Sequence, residues 1–429
     1  MPKHSSPSRP AHIPKPSLSV PRGFRFAGVT AGIKPSGKPD LALIVSDRPA
    51  AAAGVFTKNR FCGAPVTVTK KHIRSGSARA IIINSGNANV ATGDQGLADA
   101  KAMAARVAQQ LDCRQTDVLV ASTGVIGHPL PMDKITAGID HACSKLLAGS
   151  AAAKRAAEGI LTTDTRIKTA ATSADAINRK LGLTIDSDRF TLAGIVKGSA
   201  MVAPNMATML GFLMTDAAID PKLLQALLTE AIDQTFNRIS VDSDTSTSDM
   251  VLILANGASG MDTIRNRAST GYTEFREALI STCNSLCHQM LWDAEGVTRV
   301  FQVIIEGAKS TAEADLIGRT IVDSPLVKAA VHGGDANWGR LAMAIGKSGA
   351  AIKQEQVSIT IVAPSGPINL LTNGQPNELN AAQRKRIDKL MLKPEITFHI
   401  SLTRGKASAT WRGTDLSAEY VRLNADYTT

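Results

Sequence analysis

The sequence predicts a mixed α/β (α+β) chain with two lobes divided near Thr208. Three observations carry this. Short apolar runs bounded by turn residues, such as "RAIIIN" and "DMVLILANG", alternate with longer stretches of helical spacing. The 429 residues suffice for two or three domain-sized units with a large buried core. With 44% hydrophobic and 20% charged residues, the composition is that of an ordinary globular protein.

In order along the chain, "DLALIVS" and "ARAIIIN" read as strands, and "GLADAKAMAARVAQQL" has the spacing and composition of a helix. "DVLVAS" is a strand entering the turn "TGVIG", and "MDKITAGIDHACSKLLAG" and "AAAKRAAEGIL" are helices. After Thr208, "LGFLMTDA" reads as a strand, and "PKLLQALLTEAIDQTF" as a helix with proline in its first turn. "DMVLILANG" and "TRVFQVIIEGA" are strands flanking the helix "TEFREALISTCNSLCHQMLWD". Helices near 311–322 and 381–391 and strands at "VSITIVA", "EITFHISL" and "KASATW" complete the chain.

Composition narrows the function. No apolar run approaches the ~20 residues of a membrane-spanning helix. The five cysteines, Cys62, Cys113, Cys143, Cys283 and Cys287, are too scattered for a disulfide framework and read as small hydrophobes in a reducing, cytoplasmic compartment. The net charge of +11 does not point to nucleic acid, because no acidic residue precedes Asp40 and aromatics make up only 4%. Residues 1–21, rich in Pro and Ser, read as a disordered arm, or as a mitochondrial targeting segment if cleaved.

Several familiar sites fail on spacing. "GRLAMAIGKSG" places Leu341 where a phosphate loop needs its first glycine. "DSDTSTSDMVLI" opens like a calcium loop at Asp242 and Asp244, but Thr247 replaces the turn glycine and Ile253 the closing glutamate. It reads instead as an Asp/Ser/Thr turn serving nearby backbone groups. No metal site and no cofactor are expected. His128 and His332 sit in Gly/Pro turns, apart from any candidate serine.

"KGSAMVAPNMATML" raises a different chemistry. Thr208 follows a Pro-Asn turn and opens an apolar segment, which fits a helix cap or strand start. It also fits a nucleophile. If the Ala207–Thr208 bond is cut, the freed α-amine, with a pKa of about 7.7–8.0, stands beside the hydroxyl as its general base. The hydroxyl can itself attack the Ala207 carbonyl, so the cut needs no protease.

The segment resembles the nucleophile region of the ornithine acetyltransferase (ArgJ) family of arginine biosynthesis. "GFRFAGVTAGIKPSGKPDLALIVSD", "AAGVFTKNRFCGAPV", "NSGNANVATG", "STGVIGHPLPMDKI", "LTTDT", "VDSDTSTSD", "DAEGVT", "SPLVKAAVHGGDANWGR" and "RGTDLSAEYVRLNADYTT" resemble family segments in the expected order, over residues 22–429. The resemblance implies a layered αββα sandwich with a smaller C-terminal α/β domain. Residues 22–207 would form the first lobe, 208–310 the start of the second chain, and 311–429 the C-terminal domain.

It further implies Thr208 as nucleophile after cleavage from Ala207, Thr123 and Gly124 as the oxyanion-holding pair, and Thr162, Lys197, Thr208, Glu295, Asn424 and Thr429 as substrate-binding residues. The implied reaction is ping-pong transfer of acetyl from N2-acetyl-L-ornithine to L-glutamate, with acetyl-CoA as a further possible donor. The implied assembly is an α2β2 heterotetramer of self-derived chains. A self-processing aminopeptidase or amidase, and an uncleaved binding protein, are the alternatives. Ala200 and Ser243 stand where the family usually has glycine, and Ser248 where asparagine is more usual.

Overall fold

In the computed structural model the described residues are 18–182, 189–203 and 209–426. Ala207, Thr208 and Thr429 lie outside them.

The strands are β1 (Phe24–Val29), β2 (Leu41–Phe56), β3 (Ser77–Asn87), β4 (Val118–Val125), β5 (Lys168–Ser173), β6 (Thr191–Lys197), β7 (Leu210–Thr215), β8 (Ile239–Ser240), β9 (Met250–Ala255) and β10 (Val300–Ala308). They continue with β11 (Val357–Ile361), β12 (Ile368–Thr372), β13 (Gln375–Pro376), β14 (Glu395–Leu402) and β15 (Ala407–Thr414). The helices are α1 (Ala64–His72), α2 (Gly93–Leu111), α3 (Met132–Ser144), α4 (Ser150–Gly159), α5 (Ala174–Leu181), α6 (Pro221–Gln234) and α7 (Tyr272–Leu291). After them come α8 (Thr311–Val322), α9 (Pro325–Gly333), α10 (Trp338–Gly346), α11 (Ala381–Met391) and α12 (Ala418–Asp426).

One sheet runs β4-β3-β2-β9-β7-β6-β5, with β1 also on β2. Strand β2 is the fold line. Its first part pairs with β3, and Ala51–Phe56 pair with β9. Between them lies a register shift after Val45, where Asp47, Arg48 and Pro49 are exposed.

Period-2 alternation then sorts the side chains into layers. Leu43, Ile82 and Val120 face α2 and α3 on one outside. Ile44, Ile81 and Leu119 meet Phe212 and Leu252 between the two half-sheets, with the alanines of α4 filling the gap. Leu213 and Ile253 face α6 and α7 on the other outside. Both faces of these strands are buried, so they read as unbroken apolar runs. The architecture is the layered αββα sandwich.

The second sheet, β13-β12-β11-β14-β10-β15-β8, is covered on one face by apolar residues of α8 to α11. Its other face is half-buried, as the alternating burial along β14 shows. The segment that resembled a phosphate loop forms α10, capped by the Asn337 side chain. Cys283 and Cys287 lie on the buried side of α7 in the core, and burial pushes the Cys283 thiol up to about 12.

The division near Thr208 needs correction. Strands β6 and β7, on either side of it, pair antiparallel from Leu192 with Thr215 to Lys197 with Leu210. Strands from both sides of the division thus share the first sheet, while β8 and β10, also within 208–310, belong to the second. No helix among the described residues is long and apolar enough to cross a membrane.

Candidate active site

Thr123 and Gly124 end the buried strand β4, which runs parallel to β3 so that Gly86 stands opposite Gly124. Gly124 has φ +132°, and an added Cβ would lie 2.3 Å from the Gly86 carbonyl carbon. Only glycine fits this crossing. Lys197 ends β6 and is 4% exposed, and its Nζ donates to Thr123 Oγ1 at 3.3 Å. Burial lowers the Lys197 pKa, while the nearby Asp164 carboxylate opposes the shift.

Asp164 organises this side of the cleft. One oxygen accepts the Gly198 N–H at 2.8 Å and Lys168 Nζ at 2.5 Å; the other accepts the Thr162 N–H at 3.0 Å. Lys168 is completely buried and also reaches Asp293 at 2.5 Å. Burial acts to raise the Asp164 pKa, but Lys168 and Lys197 outweigh it and hold the carboxyl well below its ordinary range.

On the opposite side, Glu295 follows α7 and its N–H donates to Ser199 O at 2.9 Å. Asn424, on α12, donates its Nδ2 to Glu295 Oε2 at 3.0 Å. The helix is seated by Ser417, whose hydroxyl donates to Gly296 O at 2.6 Å, and by Tyr420, whose hydroxyl donates to Asp242 Oδ2 at 3.3 Å. Thr123, Gly124, Thr162, Lys197, Glu295 and Asn424, read as site residues from the sequence, therefore all line one cleft, together with Ser199 and Ser246–Ser248.

Residues flanking the undescribed 204–208 are pinned at this cleft. Asp242 accepts the N–H groups of Met201 and Val202 at 2.5 and 2.8 Å. Asp249 accepts that of Met209 at 2.8 Å. Burial lifts the Asp242 carboxyl to about 6. These two aspartates, with Asp164, were missed by sequence reasoning. The "VDSDTSTSD" turn does serve local groups, since Asp242 also accepts the Asp244 N–H at 3.3 Å, but its main partners are about 40 residues away. The available signal was their place in two quoted motifs, each carboxylate beside Ser or Thr in a turn.

Comparisons with known proteins identify the family of the chain. The model of the ArgJ family matches residues 25–429. The arginine biosynthesis bifunctional protein ArgJ of Rhodopirellula baltica is 40% identical over 98% of this chain and 99% of its own. Its namesake in Chlorobaculum tepidum is 43% identical over 95% and 96%. Among solved structures, an ornithine acetyltransferase of Mycobacterium tuberculosis complexed with ornithine is 43% identical, covering 43% of this chain and 92% of its own, with a TM-score of 0.39. A family match over nearly the whole length, joined to relatives sharing two residues in five from end to end, settles the affiliation: this chain belongs to the ArgJ family.

Proposed function

We propose that the protein is an acetyltransferase of arginine biosynthesis that moves acetyl from N2-acetyl-L-ornithine to L-glutamate. Family membership and the names of the relatives support the coarse activity. The observation that carries the mechanism is the meeting of Lys197, Thr123 and Gly124 with the Glu295–Asn424 pair in one cleft.

The chain is proposed to cut itself between Ala207 and Thr208. The Thr208 hydroxyl then attacks the acetyl carbonyl, and its own α-amine takes the proton. Lys197 donates to Thr123 Oγ1, so the threonine keeps its own O–H to donate into the cleft. That O–H and the Gly124 N–H face the developing oxyanion, where one such donor is worth about 2.7–4 kcal/mol of barrier. Glu295, held by Asn424, takes the side-chain ammonium of ornithine. Ornithine leaves, and glutamate collects the acetyl group from the Thr208 ester. The pieces 1–207 and 208–429 stay together as α2β2, and acetyl-CoA is a second donor to test.

Mass spectrometry of pure protein tests the cut. Wild type is expected as two pieces and Thr208→Ala as one inactive 45.0 kDa chain. Normal cutting of Thr208→Ala overturns the nucleophile. Incubation with acetylornithine and glutamate is expected to give acetylglutamate, whereas free acetate alone favours the amidase alternative. Parallel assays with acetyl-CoA read the second donor.

A further inference from the structure

Lys34 lies on the loop between β1 and β2, and nothing in the reaction above uses it. Its position is fixed several times over. The Asp40 carboxylate accepts the N–H groups of Ala31, Ile33 and Lys34 at 2.6, 2.6 and 3.0 Å. Lys34 Nζ donates to Pro39 O at 2.7 Å. Its stem lies on Gly86, where an added Cβ would come within 3.0 Å of Lys34 Cγ. Gly86 in turn backs Gly124, so Lys34, Gly86 and Gly124 form one column behind the turn that ends β4.

The ammonium is half-buried. The charged groups around it are Asp40 and Asp164, which favour its charge, and Lys197 and Lys38, which oppose it. Burial, the largest influence, brings its pKa down to about 8 and leaves it mostly charged at neutral pH. Holding a lysine here costs desolvation and side-chain entropy, yet an apolar side chain would fill the same column. What an apolar side chain could not supply is the positive charge and the hydrogen bond to Pro39 O, and arginine can supply both.

We propose that Lys34 is a positioning residue of this site, seating the Thr123–Gly124 turn through Gly86 and setting a second positive charge, beside that of Lys197, behind the point where negative charge develops. The proposal rests on the acyl-transfer reading of the cleft. Methionine keeps the column without the charge, and arginine keeps the charge.

The test compares Lys34→Met and Lys34→Arg with wild type in kcat and KM for acetylornithine, chain mass and thermal unfolding. Lys34→Met is expected to be cut and folded, with kcat down about tenfold or more and KM within about twofold of wild type. Lys34→Arg is expected to recover most of kcat. Wild-type kcat in Lys34→Met overturns the proposal. So does a loss that arginine does not rescue, or one that falls on KM or thermal stability instead. An uncut Lys34→Met chain counts in favour only where Lys34→Arg is cut, and against otherwise. A folded wild type that transfers no acetyl group brings down the cleft reading, and this proposal with it, before any variant is made.

Discussion

Asp249 Oδ1 accepts the backbone N–H of Met209 at 2.8 Å, while Oδ2 is buried without a hydrogen bond among the described residues. Burial drives this carboxyl well above its ordinary pKa, against the pull of the Met209 amide and Lys197. An unfolded chain ionises the group near pH ~4, and the folded one does not. The stability it carries is therefore fully present below that pH and lost as pH rises toward the folded value. Asp249→Asn keeps an acceptor for Met209 and cannot ionise. It is expected to gain on wild type as pH rises above about 4, read by urea unfolding. Parallel profiles for the two proteins would contradict this.

Lys168, completely buried between Asp164 and Asp293, ties the Thr162 loop to the segment leading into Glu295. Lys168→Met removes the cation that the two buried carboxylates share, leaving Asp293 only the half-exposed Arg166 at 3.2 Å and Asp164 only the field of Lys197. The expected loss is about 3–5 kcal/mol in denaturant unfolding, because removing one member of a buried ionic group strands the rest. KM for acetylornithine should rise as well, since Thr162 and Glu295 lose a common anchor.

Gly124→Ala forces a methyl group into the Gly86 backbone 2.3 Å away. The turn must move, and kcat is expected to fall about 10²–10³-fold, the usual consequence of misplacing an oxyanion donor. Gly127→Ala is the control: its φ of +88° is also left-handed, but its Cβ would point into open space. It should cost about 1–2 kcal/mol of stability and little activity.

Ser243 adopts φ +69°, at a position where the family resemblance places glycine. Among the described residues its hydroxyl makes only a long 3.4 Å contact with Asp323 O. Ser243→Gly is expected to stabilise the protein by about 1 kcal/mol in thermal or urea unfolding. Destabilisation would mean that the hydroxyl contact outweighs the backbone strain.

Much of the fold was legible because both faces of the central strands are buried, so β3, β4 and β9 stand out as apolar runs. The reading ended β2 at Ser46, just before "DRP". In the structure those residues are the exposed bend where one strand changes partners, which only the tertiary arrangement reveals. Helices α9 and α10 were passed over because their glycine-rich surroundings read as loop. At the site, strand β4 was readable locally, but it runs on through Thr123 and Gly124 to Val125 before the chain turns. The pairing of Glu295 with Asn424, 129 residues apart, and of Lys197 with Thr123, 74 apart, was not readable, because spacing says nothing about contacts closed by a folded sheet. Those residues came from the family resemblance, whereas the aspartates that hold their neighbours emerged only from the geometry.

The ladder between β6 and β7, six residue pairs long, closes the sheet across the stretch that joins them. Severing that stretch leaves the ladder and the shared interior intact. The molecule then becomes a two-component system whose unfolding is a dissociation, so its melting temperature climbs with protein concentration, whereas that of an unbroken monomeric chain does not. Regaining the native state after dilution likewise requires an encounter between two strangers in solution, and its half-time lengthens in proportion to the dilution.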